Sequence, residues 1–237
     1  MASADVRLPS RSSEGVRPVL SLREATLLAD VPETKVRKDI ETRLLLPIRA
    51  GDPDRLFFRW VDVFFFAALY KNNLLSSTLR KKALDRLEAM VEPAYRREFY
   101  RLRGLDNLLE AQRTLARPSR MLMNCDRVKL DEHIFIDVRS LVDELAPRVD
   151  LYADGLSRIE ERKGILGGEA VFRGTRLSVR HVGKMYDSGE SLSNIIEDYP
   201  YLRDNDIKFA QLFHKAHPTM GRPTVKGELD YAGDTSP

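Results

Sequence analysis

Two groups of residues in this chain have types and spacing that can do chemistry. The first is Thr34-Lys35-Val36-Arg37-Lys38. On a helix, Val36 and Ile40 turn inward, and Thr34, Lys35, Arg37 and Lys38 spread over a solvent-facing arc. Lysine and arginine neutralise phosphates and release counterions, which is the sequence-independent part of affinity for double-stranded DNA. An arginine can also grip a guanine edge with two hydrogen bonds, and Thr34 can meet a phosphate or a thymine methyl. Arg43, Arg49, Arg55 and Arg59 follow and would line a helix exit and a wing. The plain alternative is a solvated charged helix. The second group is Gly167-Gly168 with Arg173-Gly174-Thr175-Arg176. A phosphate loop does not fit, because GKS, GKT and G-x-G-x-x-G spacing are all missing. The glycines suit turns that need positive φ. Arg173 and Arg176 flank a turn before a helix, where they can clamp a carboxylate. An internal ion pair with the Glu197/Asp198 side is the simplest use, and a partner's carboxylate is the alternative.

The remaining candidates are weaker. His214 and His217 are three apart, but no third and fourth ligand lies at suitable spacing, so no metal is expected. Cys125 is the only cysteine, which forbids an intrachain disulfide, and it reads as a small buried hydrophobe. Tyr199-Pro200-Tyr201-Leu202 joins two helices; Tyr199 and Leu202 are expected to be buried, and Tyr201 is a candidate interface anchor. The stretch His133 to Leu145 resembles the start of a PIN nuclease, with Asp137 and Asp143 as metal ligands. That reading needs further acids on an α/β unit that the following residues do not supply. No catalytic residue and no cofactor are expected.

The elements that must position these groups can be read in order. Residues 1–19 are rich in Ser, Arg and Pro and read as a flexible arm. Ser21 and Glu24 form a capping box for a helix ending at Ala29. Asp30-Val31-Pro32 breaks it, and a second helix runs from Pro32 or Glu33 to about Arg43. Leu44–Ile48 and Leu56–Trp60 read as strands around the turn residues Arg49 to Asp54. Residues from Asp62 to about Leu115 are helical in pattern, stopped at Pro93. Arg127–Leu130 and His133–Val138 alternate as a hairpin. Leu141–Ile159 is helical and expected to break at Pro147. Residues 218–237 carry few apolar side chains and read as a flexible tail.

Two resemblances rest on quoted motifs. "LSLREATLLADVPETKVRKDIETRLLLP" resembles the winged helix-turn-helix that opens MerR-type regulators, with Asp30 where the pattern carries a small residue. "ILGGEAVFRGTRLSV", a helix closed by Gly, and "IIEDYPYL" before a last helix resemble the domain called domain of unknown function 433, over about residues 160–217. That family looks like the antitoxin side of bacterial operons whose toxins are PIN-type ribonucleases. The resemblance implies a PIN-type toxin partner that would meet Arg173, Arg176 and Tyr201, with Arg222 and Lys226 of the tail reaching its carboxylate cluster. The DNA-facing residues would be Thr34, Lys35, Arg37, Lys38, Arg43 and Arg55.

At 237 residues, with 43% hydrophobic and 32% charged residues, the chain has the composition of a globular protein with a real core. The apolar run Val61–Tyr70 contains Asp62 and is too short to span a bilayer. No secretory leader is read, so the expected compartment is the cytoplasm. Net charge is +3, but Arg80–Arg120 holds 11 basic and 6 acidic residues, and Asp187–Asp206 holds 6 acids against Arg203 alone. Two surfaces of opposite sign suit two partners. The expected fold is mainly α with small β-hairpins: a winged helix-turn-helix (20–70), a helical and β middle region (71–160) and a three-helix domain (160–217). The expected function is a homodimeric DNA-binding antitoxin that silences a toxin and represses its own operon. The alternative is a stand-alone regulator whose middle region senses a small ligand.

Overall fold

A computed structural model describes residues 19–49, 56–71, 74–91 and 126–218. The arm, residues 92–125 with Cys125, and the tail from residue 219 lie outside the described residues. The architecture is mainly helical with small antiparallel sheets, as the sequence predicts.

β1 (Leu20–Ser21) runs directly into α1 (Leu22–Ala29). The Ser21 hydroxyl accepts from Glu24 N at 3.2 Å, and the Glu24 carboxylate accepts from Ser21 N at 2.8 Å, so the capping box is present. Asp30 closes α1 in the left-handed region at φ 58° and ψ 49°. Aspartate tolerates that conformation better than most side chains. α2 (Glu33–Glu41) follows. The strand expected at Leu44–Ile48 is shorter and later, at β2 (Ile48–Arg49). The Leu44 and Leu45 amides instead donate back to the Asp39 carbonyl at 2.8 and 3.0 Å, extending the helix exit. β3 (Leu56–Phe58) lies between β1 and β2, pairing Leu20 with Phe58 and Ile48 with Phe57. β3 stops before Trp60 because that residue opens α3 (Trp60–Tyr70).

Ten of the eleven residues of α3 are buried, and a helix apolar on all sides belongs at the centre of a fold. α4 (Ser77–Met90) is capped by Ser76 and buries Ala83 and Leu87. β4 (Arg127–Lys129) and β5 (Phe135–Asp137) make the expected hairpin. α5 (Val138–Ser157) then runs unbroken through Pro147, against the sequence expectation. Pro147 and Asp143, whose carbonyl loses its partner, are both exposed, so water can take the missing bond. Leu145, Val149 and Tyr152 are buried on either side and hold the two halves in line. The chain ends in a hairpin, β6 (Ile159–Glu161) with β7 (Ala170–Phe172), and the helices α6 (Val179–Asp187), α7 (Leu192–Asp198) and α8 (Asp204–Ala216). Ile159, expected at the end of a helix, is therefore a strand residue. No helix among the described residues is long and apolar enough to cross a membrane.

Front, middle and back meet in one core. Tyr152 of α5 packs between Trp60 of α3 and Phe209 of α8, with ring centroids 6.4 and 5.4 Å away. Gly155 makes the second contact possible, since a Cβ there would lie 2.1 Å from the Phe209 ring. Glu24, 1% exposed, joins all three parts. Its Oε1 accepts from the Tyr152 hydroxyl at 2.9 Å and from His217 Nε2 at 3.0 Å, just past the end of α8. Removing one donor from a buried carboxylate costs about 1–3 kcal/mol. Tyr152→Phe is therefore expected to lower stability by about that amount. Denaturant unfolding followed by the emission of Trp60, the only tryptophan, measures it.

Candidate nucleic-acid face and C-terminal groove

On α2, Val36 and Asp39 are buried; Thr34, Arg37 and Lys38 are exposed and Lys35 is half-buried. Arg37 Nε donates to Glu33 at 2.8 Å across one turn. Exposed pairs of this kind are worth only about 0.3–0.5 kcal/mol, so Arg37 can exchange Glu33 for a phosphate at little cost. Arg43 is exposed at the helix exit, in the left-handed region at φ 59°. Thr34, Arg37 and Lys38 thus share an exposed face of α2 at i, i+3 and i+4 spacing, and Arg43 is exposed just past the helix. Arg55 and the Arg49 side chain lie outside the described residues. Arg59, expected on the wing, faces inward: it sits between Asp62 and Glu88, with Nη1 donating to Glu88 at 3.1 Å and Nε to Asp62 at 3.1 Å.

The second site is an open groove of about 380 Å³ in the C-terminal domain. Arg158, Phe172, Arg173, Tyr201, Leu202 and Asp206 line it. Arg173 and Tyr201, predicted separately from sequence, therefore share one surface. Arg173 Nη2 donates to the Ser157 carbonyl at 2.9 Å. Tyr201 is 55% exposed and meets the Tyr199 ring edge-on at 6.3 Å, while Leu202 is buried and Tyr199 half-buried. Arg176 is exposed outside the lining, and Arg222 and Lys226 lie outside the described residues. Sequence reading missed Arg158. It donates to Asp206 at 2.9 Å, and that carboxylate also accepts from Arg203 N at 3.0 Å, capping α8. The Arg203/Asp206 spacing signals the cap, but nothing local in the sequence signals the arginine 48 residues earlier.

Other predicted groups take structural roles. Asp137 caps α5, and the Ser140 amide that it accepts at 3.0 Å holds its carboxyl below the usual range. Asp143 is exposed. His217 bonds Glu24, and His214 Nδ1 is a buried nitrogen with no hydrogen-bond partner among the described residues. Among the described residues no group of three or more His, Cys, Asp or Glu is placed to hold a metal.

Residues 159–213 match the family described as protein of unknown function, DUF433. The matched stretch opens at β6 and ends in α8, so most of the groove's lining falls within it, while Ser157 and Arg158 precede it. A protein described as uncharacterized, y4eO of Sinorhizobium fredii, is 30% identical over 130 residues, which are 55% of this chain and 58% of that protein. The chain therefore matches little more than half the length of this relative. The crystal structure of Rv2018 from Mycobacterium tuberculosis aligns with 84% of this chain and 99% of its own, at 14% identity and a TM-score of 0.38.

Inside the DUF433 segment, α6 and α8 pack backbone to backbone. A Cβ at Gly183 would lie 2.1 Å from the Ala210 carbonyl oxygen and 2.7 Å from His214 Cβ. Neither obstacle is a flexible side-chain end, so the helices would have to part. Gly183→Ala is expected to destabilise by about 1–3 kcal/mol, the usual cost of overpacking. A drop in the thermal midpoint measures it; an unchanged midpoint refutes the close packing.

Proposed function

We propose that this chain is a DNA-binding antitoxin. α1 and α2 with the β2–β3 hairpin form a MerR-like winged helix-turn-helix that holds operator DNA, and the DUF433 segment holds a PIN-type toxin. One observation carries the reading. An exposed cationic arc on a buried-face helix is joined, through a shared core, to a separate arginine- and tyrosine-lined groove in the family-matched segment. Two surfaces of different chemistry suit two partners. Arg37, Lys38 and half-buried Lys35 supply phosphate contacts, and Thr34, near the start of α2, sits where recognition helices approach base edges. A homodimer on paired half-sites is the usual form of such repressors. Tyr201 and Arg173 are residue types enriched among interface hot spots. Arg222 and Lys226 extend the contact to the toxin's carboxylates.

The decisive experiment uses the full chain, because Tyr152 and His217 take Glu24 from the front module and a C-terminal fragment loses it. Replacing Lys35, Arg37 and Lys38 with Ala is expected to weaken binding to the protein's own upstream DNA and to lower the log–log salt slope by about 2–3. Toxin capture should persist in that variant. Arg173→Ala with Tyr201→Ala should do the reverse: DNA binding persists, and co-purification with the product of the adjacent gene drops at least about tenfold, the scale of losing one hot spot. A folded triple variant with unchanged DNA affinity refutes the front half of the proposal. Capture untouched by the groove variant refutes the back half.

A further inference from the structure

The parts of the front module assigned to DNA are tied from behind to α4 at two points, each shared with α3. On the inner side of α2, Asp39 has a side chain that is only 4% exposed. Arg80 of α4 donates to it twice, from Nε at 2.7 Å and from Nη2 at 3.0 Å. Tyr70, the last residue of α3, donates its hydroxyl to the same carboxylate at 2.7 Å. Arg80 Nη1 also donates to the Leu75 carbonyl at 2.8 Å, so its fork is fixed at both ends. Burial, then the bond to Asp39, pushes the Tyr70 phenol well above its ordinary value and keeps it a donor.

Two turns along the same helix, Glu88 grips Arg59, the residue that leaves β3. Arg59 N donates to Asp62 at 2.7 Å, and its guanidinium bridges Asp62 and Glu88. Burial works against that charge, yet the Asp62 and Glu88 carboxylates outweigh it and hold the group above its ordinary range. One helix therefore reaches the recognition helix through Arg80 and the wing's base through Glu88. The apolar core is built by α3 with Ala83 and Leu87 of α4, and neither ion pair adds apolar surface to it. Buried and half-buried ion pairs contribute little net stability against apolar packing; their best-attested use is to fix one arrangement among several.

We propose that Arg80 and Glu88 are positioning residues for DNA readout: they touch no DNA but set the angle between α2 and the β2–β3 wing. The ligand is duplex DNA, so the role rests on the DNA-binding reading above. A fixed angle matters for base contacts, which need a register, and hardly at all for diffuse attraction to phosphates.

The test measures Glu88→Gln and Arg80→Lys in the full chain on two duplexes of equal length, the protein's own upstream region and an unrelated sequence, over a range of salt. The preference for the upstream duplex is expected to fall about tenfold, the scale of one misread base pair. Affinity for the unrelated duplex, the salt slope and Trp60 emission should stay unchanged, which simple loss of fold would not allow. Glu88 is 37% exposed, so Glu88→Gln keeps its fold and decides the matter if Arg80→Lys does not. Full preference retained in folded Glu88→Gln overturns the inference while leaving DNA binding standing. A wild-type protein with no preference between the duplexes overturns both.

Discussion

Glu24 is the point on which the arrangement turns. A carboxylate that is 1% exposed must have its charge answered by hydrogen bonds, because burying an unanswered one costs several kcal/mol. Here one oxygen accepts the amide of Ser21 and the other accepts Tyr152 and His217. The same side chain thus starts the first helix, anchors the long middle helix and ties down the end of the last one. Remove it and α1 loses one half of its capping box, while α5 and the end of α8 lose their link through this carboxylate.

Around that node the apolar packing does the bulk of the work. α3 is buried almost everywhere, and Phe64, Phe65 and Phe66 are each no more than 2% exposed. A sleeve of amphipathic helices encloses it, and the small sheets serve as turns and edges. Among the described residues, the polar links that bring buried carboxylates or arginines together across elements include Glu24 with Tyr152 and His217, Asp39 with Arg80 and Tyr70, Arg59 with Glu88, and Arg158 with Asp206. Each joins residues at least 29 positions apart.

That separation explains what could be read from the sequence. The capping box at Ser21, the β4–β5 hairpin, and the bounds of α1 and α2 depend on neighbours within a few residues, and those were legible. Leu44–Ile48 misled because a short apolar run bounded by turn residues reads as a strand, while the Asp39 carbonyl drew the Leu44 and Leu45 amides into a helix exit. Pro147 misled because local geometry forbids its hydrogen bond but cannot say that Pro147 and Asp143 lie at the surface, open to solvent. At the C-terminal site, the turn glycines and Arg173 and Tyr201 were visible as types. Their meeting in one groove, and the part of Arg158, follow from a path of the chain that no local pattern encodes. Gly155 and Gly183 drew no attention in the sequence, because the close contacts that they permit are with residues distant in the chain.

The link between Glu24 and His217 spans 193 positions, and this has a consequence for the protein during its own synthesis. At ordinary elongation rates roughly 10–40 s separate the emergence of the two residues from the ribosome. At the start of that interval Glu24 has the Ser21 amide but neither Tyr152 nor His217; Tyr152 arrives partway and His217 last. A chain cut short by a broken message or an early stop never receives them. A fragment carrying only the front module lacks the Tyr152 and His217 donors and is expected to be the less stable species, more open to proteolysis.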